Sequence, residues 1–220
     1  MINTDRLPPC PLCHHAHCPA FASVDGRDYF RCPHCELTFL AAAQRPDAAS
    51  ERRHYDLHEN DPHDPRYRRW LARLAEPLGA RLAAPARGLD FGCGPGPALA
   101  MMLRERGHHM ALYDPIYAAD PQVLDTTYDF ITCTEVVEHF HRPDAMFTLL
   151  AQLLAPGGWL GIMTAELHDG IEFSRWHYRR DPTHVCFYRP RTFAVIGALN
   201  GMTPVPVMET GVILLQKQAG

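Results

Sequence analysis

Beyond residue 87 the apolar positions switch between two periods. Short, almost unbroken apolar stretches at 88–91, 110–113 and 128–134 ("YDFITCT"), with "GWLGIMTA" from residue 158, predict buried strands. Runs with helical spacing lie between them. One is predicted at 97–106. A second, "PDAMFTLLAQLL", stops at Pro156-Gly157-Gly158, and a third, "RPRTFAVIGALNG", stops at Gly201. "TPVPVM" and "GVILLQK" close the sequence as a predicted antiparallel pair. Strands alternating with helices of this length imply an α/β architecture, a parallel sheet covered on both faces.

The first 87 residues read differently. Residues 1–45 carry short β-prone pieces such as "RDYFRC" and "LTFL" among cysteines and histidines. Residues 46–87 are charged and arginine-rich, and Leu71, Leu74, Leu78 and Leu82 fall at the spacing of an amphipathic helix. The chain thus divides into a small lobe at 1–45, a helical linker at 46–87 and an α/β domain at 88–220. The linker suits a lid in which Tyr55, His58, Asn60 and Tyr67 touch a ligand; a solvated connection is the alternative.

Composition narrows the class. The 220 residues, 46% apolar and 21% charged, suffice for one full core and an appendage. No apolar run reaches the length of a membrane span, and "MINTDRLPPC" lacks a secretory signal's basic start and apolar stretch, so a cytoplasmic protein is expected. A formal net charge of -4 argues against a general polyanion binder. Lys217 is the only lysine, which reads as coding bias rather than physics.

Five of the eight cysteines precede residue 36, and four of them form two CxxC pairs. Cys10-x-x-Cys13 and Cys32-x-x-Cys35 stand eighteen residues apart, the pattern of a zinc ribbon. Each turn presents two thiolates, and four thiolates satisfy tetrahedral zinc with no position left for substrate, so the expected role is structural. Cys18, His14, His15 and His17 are possible substitutes as ligands, and spacing alone also admits a rubredoxin-like iron site.

Chemistry concentrates after the first strand of the α/β domain, in Asp90-Phe91-Gly92-Cys93-Gly94-Pro95-Gly96. Ligands of open α/β sheets bind beyond the carboxyl ends of the strands, and glycines there let a ligand lie against bare backbone. The dinucleotide fingerprint would place a third glycine where Pro97 stands. An acid two residues before the first glycine suits an ammonium group better than a pyrophosphate.

"LDFGCGPG" resembles motif I of the class I S-adenosylmethionine-dependent methyltransferases, in particular their type 11/12/23 group. "MALYDP", ending at Asp114 and Pro115, resembles the second strand with its ribose-binding acid. "YDFITCTEVVEHF" resembles the fourth strand and following turn, and "LLAPGGWLGIMT" the entry to the fifth strand. The resemblance implies a Rossmann-like seven-stranded sheet with an antiparallel last strand, and S-adenosyl-L-methionine as cofactor. It places Gly92, Cys93, Gly94 and Gly96 at the methionine end, Asp90 on the amino group, Asp114 on the ribose, and Thr134, Glu135 and Val136 along the cofactor. Only fourteen residues separate Asp114 from the fourth strand's core, which leaves little room for a third strand; Ile116, Tyr117 and Asp120 are the adenine-pocket candidates. Without that resemblance, Asp114 reads as a turn residue, Glu138 and His139 as helix-start residues, and Cys93 and Cys133 as small apolar fillers.

The stretch "ELHDGIEFSRWHYRRDPTHVCFYRPRTF" is the natural acceptor wall. Its core, "WHYRRDPTHVCFY", resembles a segment of zinc-ribbon-bearing methyltransferases. His184 is the first candidate for a base or acceptor-orienting group and His139 the second; a buried loop histidine bonded to backbone is the bland reading of His184. The leading function is methyl transfer to an O, N or C atom of a small molecule. An RNA-modifying methyltransferase using the ribbon as an RNA grip is the alternative enzyme, although the ribbon's few basic residues, Arg6, Arg27 and Arg31, weaken it. "TCTEVVEH" stands where amino-methylating DNA enzymes carry Asp/Asn-Pro-Pro-aromatic and cytosine-5 enzymes Pro-Cys. A zinc-stabilised cofactor-binding scaffold is the non-enzyme alternative, and Pro97 opposes a nucleotide-dependent dehydrogenase.

Overall fold

The computed structural model describes residues 7–57 and 61–219. Its N-terminal lobe is a meander of β1 (Ala20–Val24), β2 (Arg27–Arg31) and β3 (Thr38–Leu40). Asp25 and Gly26, at φ 54° and 75°, turn β1 into β2. Two successive left-handed residues are what a tight hairpin with right-handed strand twist requires, hence Asp-Gly.

Helix α1 (Ala48–Tyr55) starts at Asp47, whose carboxylate accepts the Ser50 N–H at 2.8 Å. Helix α2 (Pro65–Gly79) starts in the same way at Asp64, with a proline in its first turn. It buries Leu71, Leu74 and Leu78 against the main sheet, whereas Leu82, expected on the same stripe, falls beyond its end.

The α/β part contains β4 (Arg87–Phe91), α3 (Ala98–Glu105), β5 (His109–Tyr113), β6 (Tyr128–Thr134) and α4 (Pro143–Leu153). Then follow β7 (Leu154–Met163), β8 (Cys186–Phe187), α5 (Pro190–Leu199), β9 (Met202–Val205) and β10 (Val212–Lys217). The main sheet runs β5-β4-β6-β7-β10-β9. Its first four strands are parallel, and β10 lies antiparallel to both β7 and β9. β7 begins directly after α4, four residues earlier than the Pro-Gly-Gly stop suggests.

The expected seventh strand of the main sheet is not seen among the described residues, where that sheet has six. The segment after β5 makes an Asp114↔Ala118 bridge and one 3-10 turn, Pro121–Leu124. It is too short to hold a helix and an edge strand, since a parallel crossover alone takes a dozen or more residues.

The N-terminal lobe does not close on itself. Its fourth strand is β8, supplied from beyond β7, through Thr38↔Phe187 and Phe39↔Cys186. Phe39, Leu40, Phe187, Tyr188 and Ile131 belong to one continuous buried cluster that spans both sheets. Arg179 pairs with Asp25 at 2.8 Å and Arg189 with Glu36 at 2.9 Å across the same junction. Among the described residues, no helix is long and apolar enough to cross a membrane.

Candidate active site

At the end of β4 the chain turns through Gly92 and Gly94, at φ +75° and +61°. A β-carbon on Gly92 would sit 2.4 Å from Val136 Cγ2, so only glycine fits. One on Gly94 would meet nothing within 4 Å, so the bare backbone there borders open space. The Gly92 and Cys93 N–H groups donate to the Tyr113 carbonyl at 2.7 and 3.2 Å, tying the turn to β5. The Gly94 N–H donates to Asp114 Oδ2 at 3.0 Å, while Asp114 Oδ1 accepts from the amides of Ile116 and Tyr117 at 2.8 and 3.1 Å. Asp114 is therefore a turn residue and a wall of the glycine turn at once. Gly96 is buried, and its carbonyl accepts the Ala98 N–H as α3 begins.

Asp90 lies beneath the turn, 3% exposed, and accepts a hydrogen bond from Thr132 Oγ1 at 2.7 Å. Burial pushes its carboxyl up to about 6, against the pull of Thr132. Burial likewise raises the Cys93 thiol to about 12, which suits a filler rather than a nucleophile. Cys133 is completely buried. Asp120 is exposed and spent on the Gln122 amide, capping the 3-10 turn, so it offers little to an adenine pocket.

A cavity of about 380 Å³ opens where α2 passes the ends of β6 and β7; Trp70, Glu135, Met163, Thr164, Trp176 and Tyr178 line it. Glu135 follows Thr134 in a left-handed conformation, φ 52°, fixed by its N–H on the Met163 carbonyl at 2.9 Å. Burial first, then neighbouring Glu138, raises the Glu135 carboxyl to about 8. His184 and His139 are not on the cavity lining. They stand behind Tyr178, whose ring centroid is 4.2 Å from that of His184.

Behind the cavity Glu138 is fully buried. Tyr178 OH donates to its Oε1 at 2.5 Å and Thr164 Oγ1 to its Oε2 at 3.0 Å. His184 places Nδ1 on the Tyr178 carbonyl at 2.7 Å, and burial, then His139, holds its imidazole down to about 3. His139 places Nδ1 on the Thr183 carbonyl at 3.1 Å and is also held below the usual range by burial. Both rings are neutral at ordinary pH. The region is covered by α1: His54 reaches Asp181 at 3.0 Å, the Tyr55 ring meets His139 at 5.3 Å, and Asp56 accepts from Tyr117 OH at 2.7 Å. Tyr67 stacks on Trp70 at 6.0 Å. His58 and Asn60 lie outside the described residues.

The four cysteines Cys10, Cys13, Cys32 and Cys35 bring their sulfurs within 4.8 Å of one another. Cys10–Cys35 and Cys13–Cys32 are each 3.5 Å apart, too far for disulfides and close to the edge of a tetrahedral thiolate shell. Cys18, His14, His15 and His17 stay outside the set. Arg27 donates to the Pro182 carbonyl at 2.9 Å, and Arg31 lies 3.6 Å over the Phe21 ring, so both are engaged within the chain. Arg6 lies outside the described residues.

A family model described as a methyltransferase domain matches residues 58–207. The chain belongs to that family. A ubiquinone biosynthesis O-methyltransferase from Serratia proteamaculans is 33% identical over 85 residues, covering 39% of this chain and 35% of the relative. Its Vibrio cholerae counterpart is also 33% identical, over 39% and 34%. The chain spans about a third of the length of the curated relatives it matches. Two solved structures share the fold. Burkholderia thailandensis 1,6-didemethyltoxoflavin-N1-methyltransferase, solved with 1,6-didemethyltoxoflavin and S-adenosylhomocysteine, superposes with TM-score 0.50 at 21% identity, over 91% of this chain and 99% of that one. CalO1, a methyltransferase of calicheamicin biosynthesis in its S-adenosylhomocysteine-bound form, gives TM-score 0.50 at 15% identity, over 68% and 54%.

Within this methyltransferase domain, sequence reasoning missed two features. The hydroxyl of Thr164, one residue past β7, completes the Glu138 network, and Trp70 of α2 walls the cavity. Trp70 sits beside the Leu71–Leu74–Leu78 stripe, and an aromatic at the edge of a buried helix face was the available signal. Nothing in local sequence marks Thr164.

Proposed function

We propose that the protein transfers a methyl group from S-adenosyl-L-methionine to an O, N or C atom of a small-molecule acceptor. The observation that carries this reading is the left-handed glycine turn bonded through Gly94 to Asp114, with open space above it. In this reading Gly92, Cys93, Gly94 and Gly96 cradle the methionine end, Asp90 supports it from beneath, and Asp114 holds the ribose. Thr134, Glu135 and Val136 border the sulfur. Asp114 retains a lone pair on Oδ2 for a ribose hydroxyl, because Oδ1 already accepts two amides and Oδ2 only one.

The sulfonium supplies an already activated methyl group, so the chain's task is alignment and exclusion of water. Trp70, Trp176 and Tyr178 enclose a flat acceptor beside the ends of β6 and β7. Glu135 is the group best placed to take the acceptor's proton, because its carboxyl faces the cavity and titrates near neutrality. His184 and His139 act through Tyr178 and Glu138, as positioning groups. The lobe at 1–45 is a zinc ribbon with Cys10, Cys13, Cys32 and Cys35 as its Zn2+ ligands and a structural role. The segment at 46–87 is the lid, and 88–220 forms the catalytic domain. The RNA-modifying alternative loses support because Arg27 and Arg31 are engaged internally.

Isothermal titration with S-adenosylhomocysteine tests the reading. Binding is expected, NAD should not bind, and Asp114→Ala should weaken the affinity about 10–100-fold, the loss of one or two hydrogen bonds to a charged group. Equal affinity of Asp114→Ala and the parent protein would overturn the assignment.

A further inference from the structure

We propose that Glu138, His139 and His184 form a second metal site, separate from the four cysteines, that takes a divalent transition-metal ion through two imidazole nitrogens and one carboxylate oxygen. The three ligating atoms lie within 4.8 Å of one another. They come from two places in the chain, the turn after β6 and the loop before β8. Val185 N–H on the Glu138 carbonyl, at 2.9 Å, holds the two together.

The histidines are prepared as ligands. A carbonyl oxygen can only accept, so Nδ1 of each ring carries the proton: His184 donates to Tyr178 O at 2.7 Å and His139 to Thr183 O at 3.1 Å. Each Nε2 therefore presents its lone pair. Fixing the tautomer through the distal nitrogen is the usual outer-shell arrangement of metal-bound histidine. The two rings meet edge to face with centroids 4.8 Å apart.

The carboxylate is oriented in the same way. Tyr178 OH and Thr164 Oγ1 each donate to one oxygen of Glu138 and leave a second lone pair on each. Asp181 Oδ2 lies 3.8 Å from His184 Nε2, next to Glu138 Oε1 at 3.9 Å, so a second carboxylate borders the site. Among the described residues, neither Glu138 nor Asp181 pairs with a lysine or arginine; their ion-pair partners are His54 and His184. A buried acid with a half-buried acid beside it, both near two imidazole nitrogens, is an arrangement that suits a cation.

Two nitrogens and one oxygen favour Zn2+, Fe2+, Mn2+ or Co2+ over Mg2+ or Ca2+, which prefer all-oxygen shells. An ion here would pin the segment carrying Trp176 and Tyr178, two walls of the cavity, to the turn that carries Glu135. The inference does not depend on the identity of the methyl acceptor.

Cobalt(II) titration of the full-length zinc-loaded protein is the test. A second equivalent should bind with weak visible bands and without the thiolate-to-cobalt charge-transfer absorption that marks the cysteine site. His139→Asn and Glu138→Gln should abolish that equivalent. Thr164→Val, which removes only an outer-shell donor, should weaken it about 10–100-fold and so serves where a ligand variant folds poorly. The proposal is overturned if cobalt enters thiolate ligation alone, or if the second equivalent survives in folded His139→Asn protein. S-adenosylhomocysteine calorimetry on the parent protein separates this outcome from failure of the cofactor reading, because the cobalt readout requires no bound cofactor.

Discussion

The two halves of the candidate site, the glycine turn and the cavity wall, are built from different materials. At the β4–β5 end the site is mostly backbone: two left-handed glycines, five amide donors and one short acid, all within residues 90–117. At the β6–β7 end it is mostly side chain. Glu138, Thr164, Tyr178 and His184 are joined by hydrogen bonds or ring contacts and covered by α1, with β8 pairing to a lobe near the start of the chain. The first design binds whatever fits against side-chain-free backbone and one acid. The second can be rewritten residue by residue, which suits an end that must recognise a variable acceptor.

The sharpest way to break the second end is to remove its distant support. Cys35→Ser, or stripping the proposed Zn2+ with a strong chelator, should unfold the small lobe, release β8 and abolish methyl transfer. Circular dichroism and a loss of several degrees in Tm would report it. If activity and Tm persist, the lobe is not needed to hold the acceptor wall.

At the first end, Gly92→Ala combines a φ of +75° with a 2.4 Å approach to Val136. A left-handed non-glycine costs about 1–3 kcal/mol even without the clash. We expect at least a tenfold loss of S-adenosylhomocysteine affinity by calorimetry, with the N-terminal lobe unaffected.

Tyr178→Phe is gentler. It removes the hydroxyl from Glu138 Oε1 and should cost about 1–3 kcal/mol in chemical denaturation. Cofactor affinity should hold while the acceptor KM rises, a split that Gly92→Ala would not show.

The smallest effect is one of pH. The Glu135 carboxyl is raised to about 8 in the folded protein, so the folded state binds more protons than the unfolded chain between the ordinary glutamate range and pH 8. Its contribution to stability therefore falls as pH rises through that window. Glu135→Gln should gain Tm relative to the parent at pH 8 and show little difference near pH 4.5. Equal pH profiles would place Glu135 in water rather than against the cavity.

The same contrast explains what could be read from the sequence. The glycine turn and Asp114 are legible because backbone geometry is written in local residue types: only glycine tolerates the positive φ at 92, and the acid follows one strand later. Strands β4, β5 and β6 appear within a residue or two of their expected bounds for the same reason. The two CxxC pairs announced a four-sulfur cluster through spacing alone. The missing edge strand was foreshadowed by the shortness of the segment after Asp114. What could not be read is assembly at a distance. That Cys186 and Phe187 would pair with Thr38 and Phe39 has no local signature, since two residues are too few to show a strand period. His184 was singled out as a candidate by residue type. Its place behind Tyr178 follows from packing of the 173–188 loop, which carries no regular periodicity. Thr164 gains its part only because Glu138 folds beneath it.

The β3–β8 pairing also bears on biosynthesis. As the polypeptide leaves the ribosome, the cysteine knuckles emerge well before the strand that completes their sheet, which follows β4 to β7 of the main sheet. Contacts so distant in the chain form late and slowly. The nascent lobe must therefore wait with Thr38–Leu40 as an open sheet edge, a state that early metal capture or a chaperone would protect.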